Sequence, residues 1–313
     1  MLKNLKISSI APKLLIKDKE LESLLPTVLI PQRVEFELHS VDQSIANGIR
    51  RVIASEYPVL VMNFNKTDFD TDDPFIKYDF IADRVRCVPI DQSIDENVTF
   101  SLSANNTTTM PFKVKTGSLE SSKTKKYMNE TITIASLFPN KYIKIDNIHL
   151  KRGYGYEHGC YTMGVNTVCL PIDQEPMNNE TNKGIRSTMS NPMSNKIGFN
   201  TNGTQDPKKI IVVAINELIN RLNGAEQYIP EITKIGDVYQ YTISGETDTI
   251  GNIIVRNIFA AYKDIDACTY APIPNTRKVI IKIKTSLDPG SIIKTAIKNA
   301  TKTLKSILDS TKF

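Results

Sequence analysis

The densest set of residues that could hold a divalent cation is Asp68, Asp70, Asp72 and Asp73. Carboxylates gathered on magnesium could clamp the attacking and leaving oxygens of a phosphoryl transfer. Their alternation with Phe69 and Thr71 fits no metal-loop spacing, however, and the preferred reading is a solvated acidic loop. Cys87, Cys160, Cys169 and Cys268 lie far apart without a C-x-x-C pair, and His158, Cys160 and Cys169 supply only three ligands where structural zinc takes four. These read as buried thiols and a loop histidine. Gly153, Gly155 and Gly159 miss the G-x-G-x-x-G phosphate cradle and read as a glycine turn. With no nucleophile–base pair, catalysis, cofactor and metal are all expected to be absent from this chain.

The most informative polar feature is Arg50-Arg51. On a helix, successive residues point about 100° apart, so if Ile49, Val52 and Ile53 face the core the two arginines flank it and at least one projects outward. Planar guanidinium groups there suit carboxylates and backbone carbonyls of a partner.

These residues must be positioned by regular elements. Val34, Phe36 and Leu38 alternate with Glu35, Glu37 and His39, as a strand with one wet face does. Ser40 and Gln43 have capping-box spacing, and Ile45, Ile49, Val52 and Ile53 follow at helical spacing until Pro58. Further on, Ile197 and Phe199 precede Asp206-Pro207, a cap and first-turn proline, then a helix burying Ile211, Ala214, Ile215, Leu218 and Leu222 that Gly224 closes. The same grammar returns. Tyr239, Tyr241 and Ile243 form a strand, Asp248 caps a helix carrying Ile250, Ile253, Ile254 and Ile258, Val279, Ile281 and Ile283 form a strand, and Asp288-Pro289 opens a last helix with Ile297, Leu304 and Leu308 inward. Gly48 and Gly251 occupy comparable places near two helix starts, and a helical glycine, which costs about 0.5–1 kcal/mol against alanine, suggests close backbone approach.

The 313 residues, 40% hydrophobic and 23% charged, exclude a disordered chain. The +5 charge is dispersed, and no run approaches the roughly 20 apolar residues needed to span a bilayer. Residues 1–30 read as a leader or short surface helix without a secretory core, because lysines interrupt each apolar run. The expected organisation is a first module of residues 31–90 and 181–228, a β-rich insert at 91–180, and a compact second module at 229–313. Each module would be a small antiparallel sheet with two helices, and the helices near 42–57, 207–222, 248–262 and 289–308 would pack together as a seam.

Several stretches carry a family resemblance. Ser44 to Pro58, with its small residue, Asn47, Arg50-Arg51 and Glu56-x-Pro58, together with Ile81 to Ile90 and Gly153-Tyr-Gly-Tyr-Glu-His-Gly159, resembles the larger α-like subunit of multi-subunit DNA-directed RNA polymerases, archaeal D or the third-largest subunit of polymerase II. Gly245 to Ile254 and Tyr270-Ala-Pro-Ile-Pro274 are similar to the smaller partner, archaeal L or the eleventh-largest subunit. Asp83, Arg86 and Asp248 depart from the family pattern, and the zinc-loop and iron–sulfur cysteines of some members are missing.

The resemblance implies an α+β fold of two pseudo-repeated α-like dimerisation modules paired within one chain, of the fused kind met in large DNA viruses of eukaryotes. It implies a non-catalytic assembly platform for transcription that docks the two largest subunits, mainly the second-largest, and a small subunit resembling the tenth of polymerase II. DNA and RNA would be reached only through the complex, and no membrane is involved. Arg50, Arg51, Asn47, Glu56 and Arg84 are the expected subunit contacts, and Gly48, Ile49, Ile53, Leu218, Leu222, Gly251, Ile254, Ile258, Ile297, Leu304 and Leu308 the expected seam. An intracellular protein is expected, in host cytoplasm or nucleus and packaged in the virion if viral. The competing reading is a stand-alone basic nucleic-acid-binding protein, suggested by the net charge and by Lys294, Lys298, Lys302 and Lys305.

Overall fold

The computed structural model describes residues 1–9, 31–122, 128–172 and 193–311. The first sheet contains β1 (Leu2–Ser9), β2 (Gln32–His39), β10 (Gly164–Pro171) and β11 (Ser194–Thr201), in the order β1-β2-β11-β10 with each neighbouring pair antiparallel. The alternation in β2 does what its period demands, burying Val34, Phe36 and Leu38. The stretch expected to be a leader instead begins as an edge strand. Its lysines, which disguise it, lie opposite carboxylates, Lys3 facing Glu37 and Lys6 facing Glu35 across the ladder, while Leu2 turns into the core. Residues 10–30 of that leader lie outside the described residues.

After β2 the chain turns at Ser40, whose φ of 58° is left-handed, and enters α1 (Gln43–Arg51). The cap is Asp42, which accepts from the Ser44 N–H at 2.8 Å; the expected Ser40–Gln43 capping box does not form because Ser40 is spent on the turn. Nor is the helix uniform to residue 57. It widens into a π-helical segment at Val52–Glu56, which buries Val52, Ile53 and Glu56 together before Pro58.

α3 (Pro207–Ala225) is capped by Asp206, which accepts from the Lys208 N–H at 3.0 Å, with proline in the first turn. It runs through Gly224 rather than stopping there and passes into a 3-10 segment at Glu226–Glu231. The second sheet holds β12 (Thr233–Ile235), β13 (Val238–Ser244), β14 (Ala267–Pro272) and β15 (Lys278–Lys284), in the order β12-β13-β15-β14. α4 (Asp248–Ala261) follows β13, and α5 (Pro289–Ser310) follows β15, with Asp288 accepting from the Ser291 N–H at 2.8 Å. Asp248 is the first helical residue, not the cap. Thr247 holds that position without a side-chain bond.

α1 packs on α3 and α4, and α5 packs on α3 and α4. One continuous core therefore runs from Leu2, Phe36 and Phe199 under the first sheet, through Ile49, Leu218 and Ile254, to Ile281 and Ile307 under the second.

A second core lies apart, built on β3 (Pro58–Asn63), β4 (Phe69–Thr71), α2 (Tyr78–Arg86), β5 (Phe100–Asn105), β6 (Phe112–Lys115), β7 (Leu119–Ser121), β8 (Thr133–Leu137) and β9 (Tyr142–Tyr154). Its residues start at Leu60, ahead of the expected 91. At the other end β10, expected inside the insert, is an edge of the first sheet. The reason is β3 itself: Leu60 and Met62 point into the second core while Val59 and Val61 point into the first, so a strand of period two forms a wall between both. The acidic run is also more than a wet loop. Asp73 is buried and accepts from the N–H groups of Phe75 and Phe138 at 3.0 and 3.1 Å, and Asp72 accepts from the Tyr142 N–H at 2.8 Å.

Candidate functional site

Two of the motifs singled out in the sequence converge on one arginine that the sequence did not single out. Arg221 lies on α3 with its side chain only 11% exposed. Its Nε donates to both carboxylate oxygens of Glu246 at 3.0 Å, and its Nη1 donates to Glu56. Glu56 sits in the π-helical segment and also accepts from the Thr249 hydroxyl at 3.1 Å, with Arg51 Nη2 at 3.6 Å. Glu246 lies two residues before the start of α4, next to its cap Thr247. One guanidinium thus ties α3, the end of α1 and the start of α4 together, a task for a planar fork with several donors that lysine could not perform.

Burial opposes charge on Glu56, Arg221 and Glu217, yet the ion pairs win for the first two. Burial alone would raise the Glu56 carboxyl, but the Arg221 charge and hydrogen bond, with Arg51 behind, hold it below its ordinary value. Burial would lower Arg221, and Glu246 and Glu56 instead raise it. Glu217, one turn before Arg221, is pushed up by burial, with only the Arg221 charge opposing.

The third motif closes the site from the side of the insert. Tyr154 and Tyr156 stack with ring centroids 5.3 Å apart, and the Arg277 guanidinium lies 3.9 Å above the Tyr156 ring. Arg277 also donates to the Gly245 carbonyl at 3.1 Å, and Gly245, with φ of +81°, takes a conformation that glycine adopts freely. Tyr156 N–H donates to the Ser55 carbonyl at 3.1 Å, and a Cβ on Gly155 would lie 2.9 Å from the Ser55 Cα. The glycine turn therefore lets β9 touch the backbone of the π-helical segment. Between these groups is an open cleft of ≈ 320 Å³. Because guanidinium groups already engage the Glu56 and Glu246 carboxylates, the arrangement fastens elements rather than activating a nucleophile.

The expected contact residues divide. Arg50 donates to Asn47 Oδ1 at 2.7 Å and to the Thr167 hydroxyl at 3.4 Å, which holds both residues half-buried beside β10. Arg51 is half-buried at the rim of the Glu56 pair, and Arg84 is exposed on α2, donating to the Ile134 carbonyl at 3.2 Å. Glu56 is buried, and its carboxylate is engaged by Arg221 and Thr249 where it lines the cleft.

Of the expected seam residues, Ile49, Ile53, Leu218, Leu222, Ile254, Ile258, Ile297 and Leu304 are fully buried in the shared core, and Leu308 packs against it half-buried. Gly48 lies where a Cβ would come 3.0 Å from Ile253 Cδ1 on α4. Gly251 is corrected, because its missing Cβ would meet Val279 at 2.8 Å and Tyr270 at 3.1 Å, which places it on its own sheet instead of against a neighbouring helix. Arg221 escaped notice because its partners are 165 and 25 residues distant, although Glu56 and Glu246 both stood in quoted motifs.

Cys160 N–H donates to His158 Nδ1 at 3.2 Å, and burial pushes the Cys160 and Cys169 thiols up to about 11. Among the described residues no three His, Cys, Asp or Glu side chains gather as metal ligands. No helix among them is long and apolar enough to cross a membrane.

The family model of the RNA polymerase Rpb3/Rpb11 dimerisation domain matches residues 239–312, which run from β13 through α5. A protein described as a DNA-directed RNA polymerase RPB3-11 homolog, from a Malawi tick isolate of African swine fever virus, is 24% identical over 296 residues, covering 84% of this chain and 82% of its own length. The chain resembles a fused α-like RNA polymerase subunit of a large DNA virus. The counterpart from a Kenyan pig isolate gives the same identity and coverage. For an α-like chain the fold is mixed helix and sheet, as observed, and neither comparison favours a stand-alone nucleic-acid-binding protein.

Proposed function

We propose that this chain is a non-catalytic platform on which a DNA-directed RNA polymerase assembles, and that its two halves act as an intramolecular heterodimer. The observation that carries this reading is the single core under two sheets of matching order, each with one helix after its second strand and one at its end. In separate subunits such a core would be an interface, and burying each large aliphatic side chain there contributes about 1.5–3 kcal/mol. The Arg221 cluster adds orientation, since it accepts only one rotation of the first half against the second.

On this reading the first module and its insert face the two largest subunits, mainly the second-largest, and a small subunit resembling the tenth of polymerase II. Arg50, Arg51, Asn47 and Arg84 are the residues offered to them. Arg84 is the most exposed of them, and Arg51 is only a secondary partner of Glu56, because Arg221 already supplies the main charge.

The test is a tagged pull-down from the native source. Two very large polypeptides recovered in equal amount with this chain, in an eluate that makes RNA without a promoter, is the expected result. Recovery of the chain alone, or with nucleic acid only, overturns it.

A further inference from the structure

The outward face of α5 is not used by the shared core or by the Arg221 cluster. Lys294, Lys298, Lys302 and Lys305 are all exposed, and no ammonium among them bonds a described residue. At 100° per residue they fall within an arc of about 80°, and at 1.5 Å rise the row is about 16 Å long. They line one side of a groove of ≈ 540 Å³ whose opposite wall is Asn223 and Glu226, at the end of α3. The stripe is held rigid from behind, because Ile293, Ala296, Ile297, Ala300 and Leu304 of the same helix are buried without exposure.

We propose that this groove docks an acidic polypeptide segment of another polymerase subunit, an inference that rests on the assembly reading. Charge complementarity selects the occupant, since like charges in a row are neutralised best by carboxylates spaced along one chain. A nucleic-acid strand fits less well. The groove carries no aromatic side chain on which a base could stack, and Glu226 and Asp309 in its lining would repel a phosphate backbone charged at every step, whereas a polypeptide can set uncharged or basic residues opposite them and its carboxylates opposite the lysines.

The experiment uses the purified polymerase beside the free chain. A zero-length carbodiimide joins an ammonium to a carboxylate only where the two are in contact, losing water and leaving an amide. The expected products join these lysines to Asp or Glu of a different polypeptide. Amine-reactive labelling of the same lysines should fall at least about tenfold on assembly, the effect of closing a charged groove. A K298E/K302E variant, whose changes lie on an exposed face, should keep the circular dichroism of the parent and lose the cross-linked subunit at moderate salt. Undiminished labelling in a polymerase that contains the chain overturns the docking surface while leaving the assembly reading intact. Cross-links only to Glu226 or Asp309 do the same, and protection by bound nucleic acid assigns the groove to phosphate instead. Failure to purify any complex overturns the assembly reading itself.

Discussion

Arg221 concentrates the consequences of single substitutions. Replacing it with methionine preserves bulk but leaves Glu246 buried without the guanidinium that faces it and Glu56 with only the more distant Arg51, and breaking a buried pair from one side costs about 3–5 kcal/mol. Urea unfolding of Arg221→Met at neutral pH should show that loss with an unchanged slope. The sign of its pH dependence follows from Glu56, whose folded carboxyl is held by Arg221 below the ordinary glutamate value of 4.5. Stability from the pair is complete above that value and is lost as pH falls through the lower folded one, so the gap between parent and variant should narrow in acid. An unchanged gap at low pH would assign the cost to packing. The two helical glycines should behave differently. Gly48→Ala presses only on the tip of Ile253 and gains helix propensity, so little change is expected, whereas Gly251→Ala meets Val279 and Tyr270 and should lose about 1–3 kcal/mol.

At the scale of elements, the removal of α5 is the decisive change. Truncation before Pro289 would expose the faces that now cover Ile292, Ile293, Ile297, Leu304 and Ile307, and an insoluble product is expected. A soluble truncation that still enters the polymerase would show that the seam does not need this helix. α5 was also the most legible element, because Asp288-Pro289 and a long apolar stripe agree on it, as Asp206-Pro207 does for α3. The edge strands were the least legible. β1, β10 and β14 bury one side chain or none among alternating polar residues, and their pairing comes from neighbours remote in sequence. β3 misled for a further reason: Val59, Leu60, Val61 and Met62 are apolar on both faces, which reads as an ordinary buried strand, and nothing local says that the faces serve different cores. The candidate site was half visible. Its carboxylates and tyrosines stood in recognisable stretches, while the arginine that unites them needed the fold.

For the molecule as a whole, the junction between the halves decides how they pair. Only the 3-10 segment Glu226–Glu231 and one following residue separate α3 from β12. The second half therefore meets the first at an effective concentration on the order of millimolar, whatever the protein concentration outside. Its docking is first-order. Thermal or urea midpoints should not move across a hundredfold dilution, unlike those of a dissociating pair of separate subunits, and a midpoint that falls on dilution would reveal pairing between chains. A short tether of this kind also fixes composition. Each copy brings one half of each type, so no imbalance in synthesis can leave an unmatched half with its apolar helices uncovered.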